Sequence, residues 1–346
     1  MTSRERVFKA IKFKKTDYIP VFTNHRGMGP RMIGRAFDRD LFLDGDALAK
    51  AELSIWEEIQ PDAFCIGAST AMQTALGCNL QWPGDDHPQF GEATIKTRED
   101  LEKLVIPAPE DHPYMAALLE EIRLLRKWVG DSTVYSIAWH GIFNNASRML
   151  GVEKLMEIMS KDHEFLDALC TKIVDAQLEY AKAMKEAGAD IMEIGDAMCG
   201  PSVISPKMFR ALAVPHIRRQ MRGFKDLGLI AQFHACGGEY PIIDQMQDTE
   251  ADILWFSELV DIDVAQKIFY QRFAVAGGVD PTNTLYLGTP DSIDKDIKEL
   301  ISKLKHRSGI IIQPGCGLST NIPVENLKAM VQAVRKYSDL AGQKKI

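Results

Sequence analysis

The sequence lacks two features that would assign the protein to common classes. It has no run of about 18 consecutive apolar residues, the length typical of a transmembrane helix. It also has no excess of positive charge, because 41 Lys and Arg stand against 48 Asp and Glu, a net charge of −7. A basic surface for nucleic acid or an anionic membrane is therefore not expected. We expect the partners to be small molecules or another protein.

Other absences concern the compartment of the cell. The opening segment, MTSRERVFKAIKFKK, is charged and amphipathic and lacks the apolar stretch of a secretory signal. Cysteine is sparse and scattered, so free thiols or metal ligands are expected in place of a disulfide framework. We therefore expect a cytoplasmic location. The six cysteines are Cys65, Cys78, Cys170, Cys199, Cys236 and Cys316.

Repeats, low-complexity tracts and linkers are also absent, so residues 1–346 are expected to form a single domain. Short apolar runs alternate with longer segments of helical periodicity. This alternation predicts an α/β fold, specifically a (β/α)₈ TIM barrel with extra N-terminal segments and helices over its mouth. A doubly wound open sheet is the alternative. The eight predicted strands lie at 19–22, 63–66, 134–139, 191–194, 229–233, 253–256, 273–278 and 309–314.

Polar or reactive residues follow most of the predicted strands. In a barrel of this type, the residues at the carboxyl ends of the strands carry the chemistry. The sequence therefore predicts a functional site at that end of the barrel. The residues in question are Trp139, His140, Glu193, Asp196, His234, Cys236, Glu258, Asp280 and Cys316.

The stretch AQFHACGG, residues 231–238, is the most informative of these. His234 and Cys236 are two residues apart, so on an extended strand they point to the same face. One imidazole and two thiolates suit Zn²⁺ and leave a fourth position for chemistry. We propose Cys316, in QPGCGLS, as the third ligand, although spacing alone does not link it to the other two. The alternative is that these cysteines are small core residues.

Several longer segments resemble one known superfamily. HGIFNNASRMLG, EAGADIMEIGD, SPKMFRALAVPHIRR, GGVDPTNTLYLGTPDSI and PGCGLSTNIPVENLKAMV are each similar to a segment of the uroporphyrinogen decarboxylase superfamily. The resemblance covers nearly the whole chain. It implies a (β/α)₈ barrel, in agreement with the strand count.

Within that superfamily, the chain resembles the zinc-dependent methyltransferases that work with corrinoids. FHACG and PGCG are similar to their zinc motif, which implies His234, Cys236 and Cys316 as ligands. The decarboxylases carry the segment M-R-Q-A-G-R, whose arginines grip substrate carboxylates. Here the corresponding region reads VFTNHRGMGPRMIG, and His25 and Gly29 stand at the two arginine positions.

The resemblance implies methyl transfer between a small substrate and the cobalt of a corrinoid. The chain has no cobalamin-binding D-x-H-x-x-G segment, so methylcobalamin or cob(I)alamin is expected to arrive on a partner corrinoid protein. We favour demethylation of a methyl ether. Methylation of a small thiol of the coenzyme M type is the first alternative, and porphyrinogen decarboxylation is the second. A third, non-enzymatic alternative is a carrier that binds a corrinoid or tetrapyrrole without turnover.

Further roles are assigned to residues near the strand ends. His140 is a candidate proton donor, Asp196 a candidate partner for a substrate hydroxyl, and Glu193 and Glu258 are candidates for a fourth zinc ligand or for orienting His234. Alternatively, such carboxylates cap helices or pair with arginine. Four residues are candidates for lining a substrate pocket, with packing between helices and sheet as the alternative role of the aromatic ones: Trp139, Phe143, Asn144 and Trp255.

Overall fold

The computed structural model describes residues 1–25, 27–83 and 87–339. Its main sheet has seven parallel strands in the order β1-β4-β5-β6-β7-β8-β9, and β2 and β3 form a separate antiparallel pair. The strands are β1 (Ala63–Gly67), β2 (Leu80–Gln81), β3 (Gln89–Phe90), β4 (Val134–His140), β5 (Ile191–Gly195), β6 (Ile230–His234), β7 (Ile253–Trp255), β8 (Ala274–Val279) and β9 (Ile310–Pro314). Seven of the eight predicted strands are thus present in the main sheet.

The remaining predicted strand, at 19–22 and first in the chain, forms only a single bridge, between Val21 and Ile312 of β9. It still joins the two edges of the sheet. The Phe22 amide donates to the Ile312 carbonyl at 3.0 Å, and the Asp62 amide, just before β1, donates to the Val21 carbonyl at 2.9 Å. Pro20 has no amide hydrogen to contribute to a longer ladder. The sheet therefore curls into a TIM-barrel-like ring, as predicted.

Helices cover the outside of the sheet and separate its strands. The longest, α9, ends at Gly188, whose φ of 126° is a conformation that glycine adopts readily. The helices are α1 (Ser3–Ile11), α2 (Gly29–Met32), α3 (Gly45–Ile59), α4 (Ser69–Ala75), α5 (Arg98–Lys103), α6 (Pro113–Val129), α7 (Ile142–Leu150), α8 (Val152–Lys161), α9 (His163–Ala187), α10 (Pro206–Met208), α11 (Val214–Asp226), α12 (Ile262–Phe269), α13 (Pro290–Lys303) and α14 (Val324–Ser338).

The inside of the ring changes from apolar to polar along the strands. Val7 of α1 packs with Ile191 of β5 and Ile311 of β9 in an apolar cluster near the start of the strands. Farther along, Gln232 and Gln313 are fully buried, and the Gln232 amide nitrogen donates to the Gln313 amide oxygen at 3.4 Å. The polar end of the ring is therefore the carboxyl end of the strands.

The segments before β1 and between β1 and β4 cover this carboxyl end, in agreement with the predicted extra segments over the mouth. Phe42 packs on Trp82 with ring centroids 5.2 Å apart, and Trp82 in turn packs on Tyr114 at 6.2 Å. Among the described helices, none combines the length and the apolar character that a bilayer crossing requires.

Candidate metal centre

Three donor atoms converge at the carboxyl end of the ring. The ligand atoms of His234, Cys236 and Cys316 all lie within 4.8 Å of one another. The two sulfurs are 3.6 Å apart. Two sulfurs bound at about 2.3 Å to a tetrahedral ion lie about 3.8 Å apart. The arrangement therefore has the dimensions of a zinc site.

The local backbone explains how the three side chains meet. His234 is the last residue of β6, and Gly237 and Gly238 have φ values of 103° and 79° that let the chain turn away at once. Cys316 follows β9 after Gly315, where a Cβ atom would lie only 2.3 Å from the Glu258 amide nitrogen. The glycine at 315 thus allows the loop to pass close to the β7 loop and brings Cys316 to its partner sulfur.

The His234 imidazole is held in one orientation by its neighbours. Its Nδ1 atom lies 3.1 Å from the Trp255 carbonyl oxygen and 3.3 Å from a Glu239 carboxylate oxygen. Since both of these are acceptors, Nδ1 carries a proton, and Nε2 is the nitrogen left to bind an ion. Nε2 is buried and has no hydrogen-bond partner among the described residues. A buried ring nitrogen of this kind, without a protein partner and beside two sulfurs, fits a metal ligand.

Glu239 is a part of the site that the sequence interpretation missed. It is fully buried, and its carboxylate accepts hydrogen bonds from the Ser257 amide at 3.1 Å and the Ser257 hydroxyl at 2.7 Å. A carboxylate that orients a ligating histidine raises its basicity and fixes its tautomer. The signal in the sequence is an acidic residue directly after the glycine pair, in HACGGE.

The three donors also perturb one another electrostatically. The hydrogen bond from Cys236 lowers the pKa of Cys316 to about 4, against the opposing effect of burial and with added help from His234. Burial lowers the pKa of His234, but Cys316 and Glu239 together outweigh it and raise that pKa to about 10. The Cys236 pKa is raised, first by its hydrogen bond to Cys316 and then by burial. Without an ion, Cys316 is therefore a thiolate and the His234 ring also holds a proton on Nε2, and an ion that binds here replaces that proton.

The donor set fits Zn²⁺. His234 Nε2 and the sulfurs of Cys236 and Cys316 would hold the ion, and three protein ligands leave a fourth position open. The remaining four cysteines are buried free thiols in other parts of the fold, whereas Cys236 and Cys316 are partly exposed. The six cysteines thus form no disulfide, as the sequence predicted, and within the described part of the chain only Cys236 and Cys316 lie where they can bind a metal ion.

The two candidate carboxylates for the fourth position lie in different surroundings. Glu258 lines a cavity of about 430 Å³ together with Cys236 and Cys316. Glu193 is buried inside the ring, where it accepts a 3.4 Å hydrogen bond from the Ser136 hydroxyl. Glu258 therefore has the better access to the sulfurs, and its role as fourth ligand stays a proposal.

Asp196 has a structural environment that differs from the one expected for a substrate ligand. It is fully buried, and its two oxygens accept the backbone amides of Phe143 at 2.7 Å and Asn144 at 2.9 Å, in the first turn of α7. Burial raises the pKa of Asp196 to about 7, although these amide bonds act in the opposite direction. The carboxylate therefore caps α7 and does not face a cavity.

His140 and Asn144 flank this cap. Gln73 directs its amide nitrogen to His140 Nδ1 at 2.6 Å, and the His140 ring lines a second cavity. The Asn144 side chain donates to the Gly195 carbonyl at 3.0 Å. Of the two, His140 has the position that a substrate-contacting residue requires.

The three aromatic residues expected to line a pocket lie elsewhere. Trp139 packs against Phe224 of α11, with ring centroids 6.2 Å apart, and Phe143 is fully buried in the same core. Trp255 stacks on His234 at 4.2 Å and donates to the Pro314 carbonyl at 2.9 Å. Since side chains alternate along a strand, Trp139 points outward to the helices while its neighbour His140 points inward. The first two are packing residues, and the third supports the metal ligand.

Two cavities adjoin the cluster, and Gly317 lines each of them. The first, of about 430 Å³, opens on the two sulfurs, with Glu258 and Tyr286 among its walls. The second, of about 270 Å³, is lined by apolar residues such as Phe42, Phe90 and Leu318 and by polar ones such as His87 and His140. The described residues lining them do not include Trp139, Phe143, Asn144 or Trp255.

Comparison with known proteins shows the family of the chain. Residues 2–337 match the family described as Uroporphyrinogen decarboxylase (URO-D). The chain is 25% identical over 346 residues to the methylcobamide:CoM methyltransferase MtaA of Methanosarcina barkeri, covering 97% of this chain and 98% of that protein. It is 29% identical over 276 residues to the uroporphyrinogen decarboxylase of Trichlorobacter lovleyi, covering 76% of each. The solved structure of a methyltransferase from Methanosarcina mazei superimposes with a TM-score of 0.87 at 25% identity, covering 97% of this chain and 99% of that one.

The chain belongs to the uroporphyrinogen decarboxylase family. Within that family it is an enzyme of the methyltransferase type, because the methyltransferases are matched over their full length in sequence and in structure. The resemblance deduced from FHACG and PGCG is thereby confirmed.

Proposed function

We propose that this protein transfers a methyl group from the cobalt of a methylcobamide to the sulfur of a small thiol, with Zn²⁺ held by His234, Cys236 and Cys316. The observation that carries the proposal is the convergence of these three donors within 4.8 Å, with a buried Nε2 that lacks another partner in the described chain. The full-length similarity to a methylcobamide:CoM methyltransferase supports the choice of a thiol as acceptor.

The transfer balances without any further reactant. The sulfur lone pair forms the new carbon–sulfur bond, the carbon–cobalt bond breaks, and its two electrons stay on cobalt, which passes from Co(III) to Co(I). The thiol proton is released. Zn²⁺, when bound, would act as a Lewis acid that lowers the pKa of the thiol, so that the thiolate forms at neutral pH.

The residues of the chain supply position and electrostatics. Glu239 and the Trp255 carbonyl hold the proton of His234 on Nδ1 and keep Nε2 available as a ligand. The cavity that opens on the two sulfurs provides the approach for the methyl donor. Since transfer is in line, the two reactants must be held close together at this opening.

The methyl donor is proposed to be carried by a partner corrinoid protein. The Methanosarcina barkeri relative is named for a methylcobamide, and this chain has no D-x-H-x-x-G segment of its own. Docking at the carboxyl end of the ring would bring cobalt to the cavity lined by Cys236 and Cys316.

Demethylation of a methyl ether, which the sequence interpretation favoured, becomes the second candidate. The aromatic residues on which it rested do not line either cavity. One observation still favours it, since the 270 Å³ cavity is itself lined by Phe42 and Phe90. In that reaction, cob(I)alamin would remove the methyl group from oxygen.

The test is a methyl-transfer assay with purified protein loaded with Zn²⁺, methylcobalamin and a panel of thiols. We expect about one zinc per chain and conversion of methylcobalamin to cob(I)alamin only in the presence of a thiol. Cys316→Ser should lose both the metal and the activity, whereas Cys199→Ser, which alters a buried cysteine outside the cluster, should keep the metal. Full activity of Cys316→Ser would overturn the proposal. Release of carbon dioxide from a porphyrinogen would indicate the decarboxylase instead, and tight corrinoid binding without turnover would indicate a carrier.

A further inference from the structure

We propose that the 270 Å³ cavity beside the metal cluster binds the body of the methyl acceptor, and that this body is an apolar group of the size of an aromatic ring. The inference rests on the proposed transfer to a thiol and names the class of thiol. It concerns a cavity at the carboxyl ends of β1 and β4, on the side of the cluster away from Glu258.

The walls of this cavity are mainly apolar. Phe42 comes from the segment before α3, Pro88 and Phe90 from the region of β3, and Leu318 from the loop after β9. An apolar cavity of about 150 Å³ is large enough to bind benzene. The 270 Å³ available here therefore has room for a ring with a substituent.

The cavity also has polar lining residues, namely Ser69, Thr70, Gln73, His87 and His140. The contact from the Gln73 amide nitrogen to His140 Nδ1 fixes the plane of the imidazole. Gln73 is only 1% exposed, so this pair is part of the rigid frame of the cavity. Small-molecule sites commonly combine an apolar wall with a few polar groups that set the orientation of the ligand.

The strand register connects this cavity to the metal ligands. His140 of β4 is paired with Gly195 of β5, and Gly195 is paired with His234 of β6, so the three residues form one row across the ring. Since neighbouring strands lie about 4.8 Å apart, the Cα atoms of the two histidines are about 10 Å apart. A bound thiol can therefore place its ring beside His140 and its sulfur near His234.

Glycines leave open the space between the 270 Å³ cavity and the metal ligands. A Cβ atom at Gly195 would meet only the His234 ring, at 3.9 Å, and one at Gly317 would meet no described atom within 4 Å. Gly317 directly follows Cys316 and lines the cavity. The missing side chains leave space where the substrate has to pass from the apolar cavity to the metal.

The 430 Å³ cavity is less suited to the acceptor. It is bordered by the Glu258 carboxylate and by two exposed side chains, Leu259 at 62% and Tyr286 at 45%. Its exposed border fits the approach of a methylcobamide from the solvent. The two reactants would then reach the sulfurs of the cluster from two sides, as in-line transfer requires.

The experiment compares two thiols with methylcobalamin as donor and the zinc-loaded protein. Benzyl mercaptan carries an apolar ring, and 2-mercaptoethanesulfonate is small and anionic. We expect kcat/KM for benzyl mercaptan to be at least about tenfold higher, the scale on which apolar pockets discriminate. Equal values, or a preference for the sulfonate, would overturn the inference and leave the proposed function intact.

Two variants locate the effect. Phe90→Ala and, independently, Leu318→Gln should each lower the preference for the ring by about tenfold, because each removes apolar contact from the cavity. Trp128→Ala, which truncates an exposed aromatic side chain of α6, serves as the control and should leave the preference unchanged. An unchanged preference in the two cavity variants contradicts the assignment.

A binding measurement separates this inference from the proposed function. If no thiol is methylated, the proposed function fails. Binding is then read from the absorbance of the Co²⁺-substituted protein, which changes when a thiolate coordinates the metal. Tighter binding of benzyl mercaptan than of 2-mercaptoethanesulfonate, weakened by Phe90→Ala, would still support the cavity. Equal binding of the two thiols would reject it.

Discussion

His234 shows how single residues prepare the metal centre. Its ring is stacked on Trp255, and its Nδ1 atom is directed to the Trp255 carbonyl and to Glu239. These contacts fix the tautomer and the orientation of the ring through protein groups alone. Less side-chain freedom is lost when the ion binds, and the affinity for the ion is higher as a result.

Replacing Glu239 with Gln tests this arrangement. We expect zinc affinity to fall by about 10- to 100-fold, because the imidazole loses the carboxylate that raises its basicity. Ser257→Ala, which removes one hydrogen bond to that carboxylate, should have a smaller effect in the same direction. The measurement is competition for zinc against a chelator of known affinity.

Glu250→Gln is the matched control, since that carboxylate pairs with Arg222 on the surface. Its zinc affinity should equal that of the unaltered protein. If Glu239→Gln also binds zinc with unaltered affinity, Glu239 does not orient the ligand.

The sequence predicted some of these residues better than others. His234 and Cys236 follow from the period of a strand, because residues two apart share a face. Cys316 is separated from Cys236 by 80 positions, so only the resemblance and the fold connect them. Glu239 was missed because its position after the glycine pair in HACGGE does not by itself show that the carboxylate is buried against His234.

At the scale of elements, α7 is held by a residue from a different strand. Asp196 follows β5 and accepts the amides of Phe143 and Asn144, which lie in the first turn of α7. A Cβ atom at Gly141, just before this helix, would lie 2.4 Å from the Asp196 Cβ, so glycine allows the close approach. The cap fixes α7 relative to the neighbouring strand end.

Asp196→Ala should therefore destabilise the protein without emptying the metal centre. We expect a loss of about 1–3 kcal/mol in the free energy of unfolding, the usual effect of leaving buried amides without an acceptor. Asp196→Asn keeps one acceptor oxygen and should cost less. Urea denaturation measures the stability, and metal analysis should still find zinc.

A different outcome would restore the catalytic role considered for Asp196. If Asp196→Ala unfolds at the same urea concentration as the unaltered protein but transfers no methyl groups, the residue acts on the substrate. The same comparison with Asn144→Ala, which loses only a side-chain bond to the Gly195 carbonyl, serves as a reference for α7.

Strands and helices were largely predictable because their periodicity is local. The segment 19–22 is the exception, since Pro20 restricts it to a bridge whose role depends on two distant edges, β1 and β9. The Tyr240–Thr249 segment is a second exception, because the connection between β6 and β7 forms a 3₁₀ helix and not an α-helix. The directions of Trp139 and His140 follow from strand alternation only when the register is known.

At the scale of the whole molecule, the outer helices contain a buried carboxyl group that the site does not use. Glu121 of α6 lies 5% exposed near Glu52 of α3. Burial, and next the charge of Glu52, raise the pKa of Glu121 well above its ordinary value. The folded protein therefore holds this proton more tightly than the unfolded chain does.

This difference predicts a pH dependence of stability. A carboxyl group whose pKa is raised in the folded state loses stabilisation as pH rises above its unfolded value of about 4.3. Glu121→Gln removes that loss, so the variant should gain stability relative to the unaltered protein between pH 5 and pH 8, on the order of one kcal/mol or more. Urea denaturation across this range measures it.

The neighbouring exposed residue provides the control. Glu120→Gln should leave the pH profile unchanged, because Glu120 lies on the solvent side of α6. If Glu121→Gln is less stable than the unaltered protein at pH 8, the buried carboxylate has a stabilising partner and the sign of the prediction is wrong.

The global fold explains why distant motifs belong to one site. Parallel strands in a ring bring all their carboxyl ends together, so the loops after β6, β7 and β9 meet at one mouth. The sequence predicted this convergence. The 270 Å³ cavity beside the cluster depends in addition on Phe42 and on residues 87–90, which lie in segments without a strong sequence pattern.

The central claim is that His234, Cys236 and Cys316 bind one zinc ion. X-ray absorption of the zinc-loaded protein tests it most directly. The account predicts two sulfur scatterers at about 2.3 Å and at least one imidazole nitrogen at about 2.0–2.1 Å, and loss of this bound zinc in Cys316→Ser. A zinc environment of oxygen and nitrogen alone, or a spectrum that Cys316→Ser leaves unchanged, would contradict it.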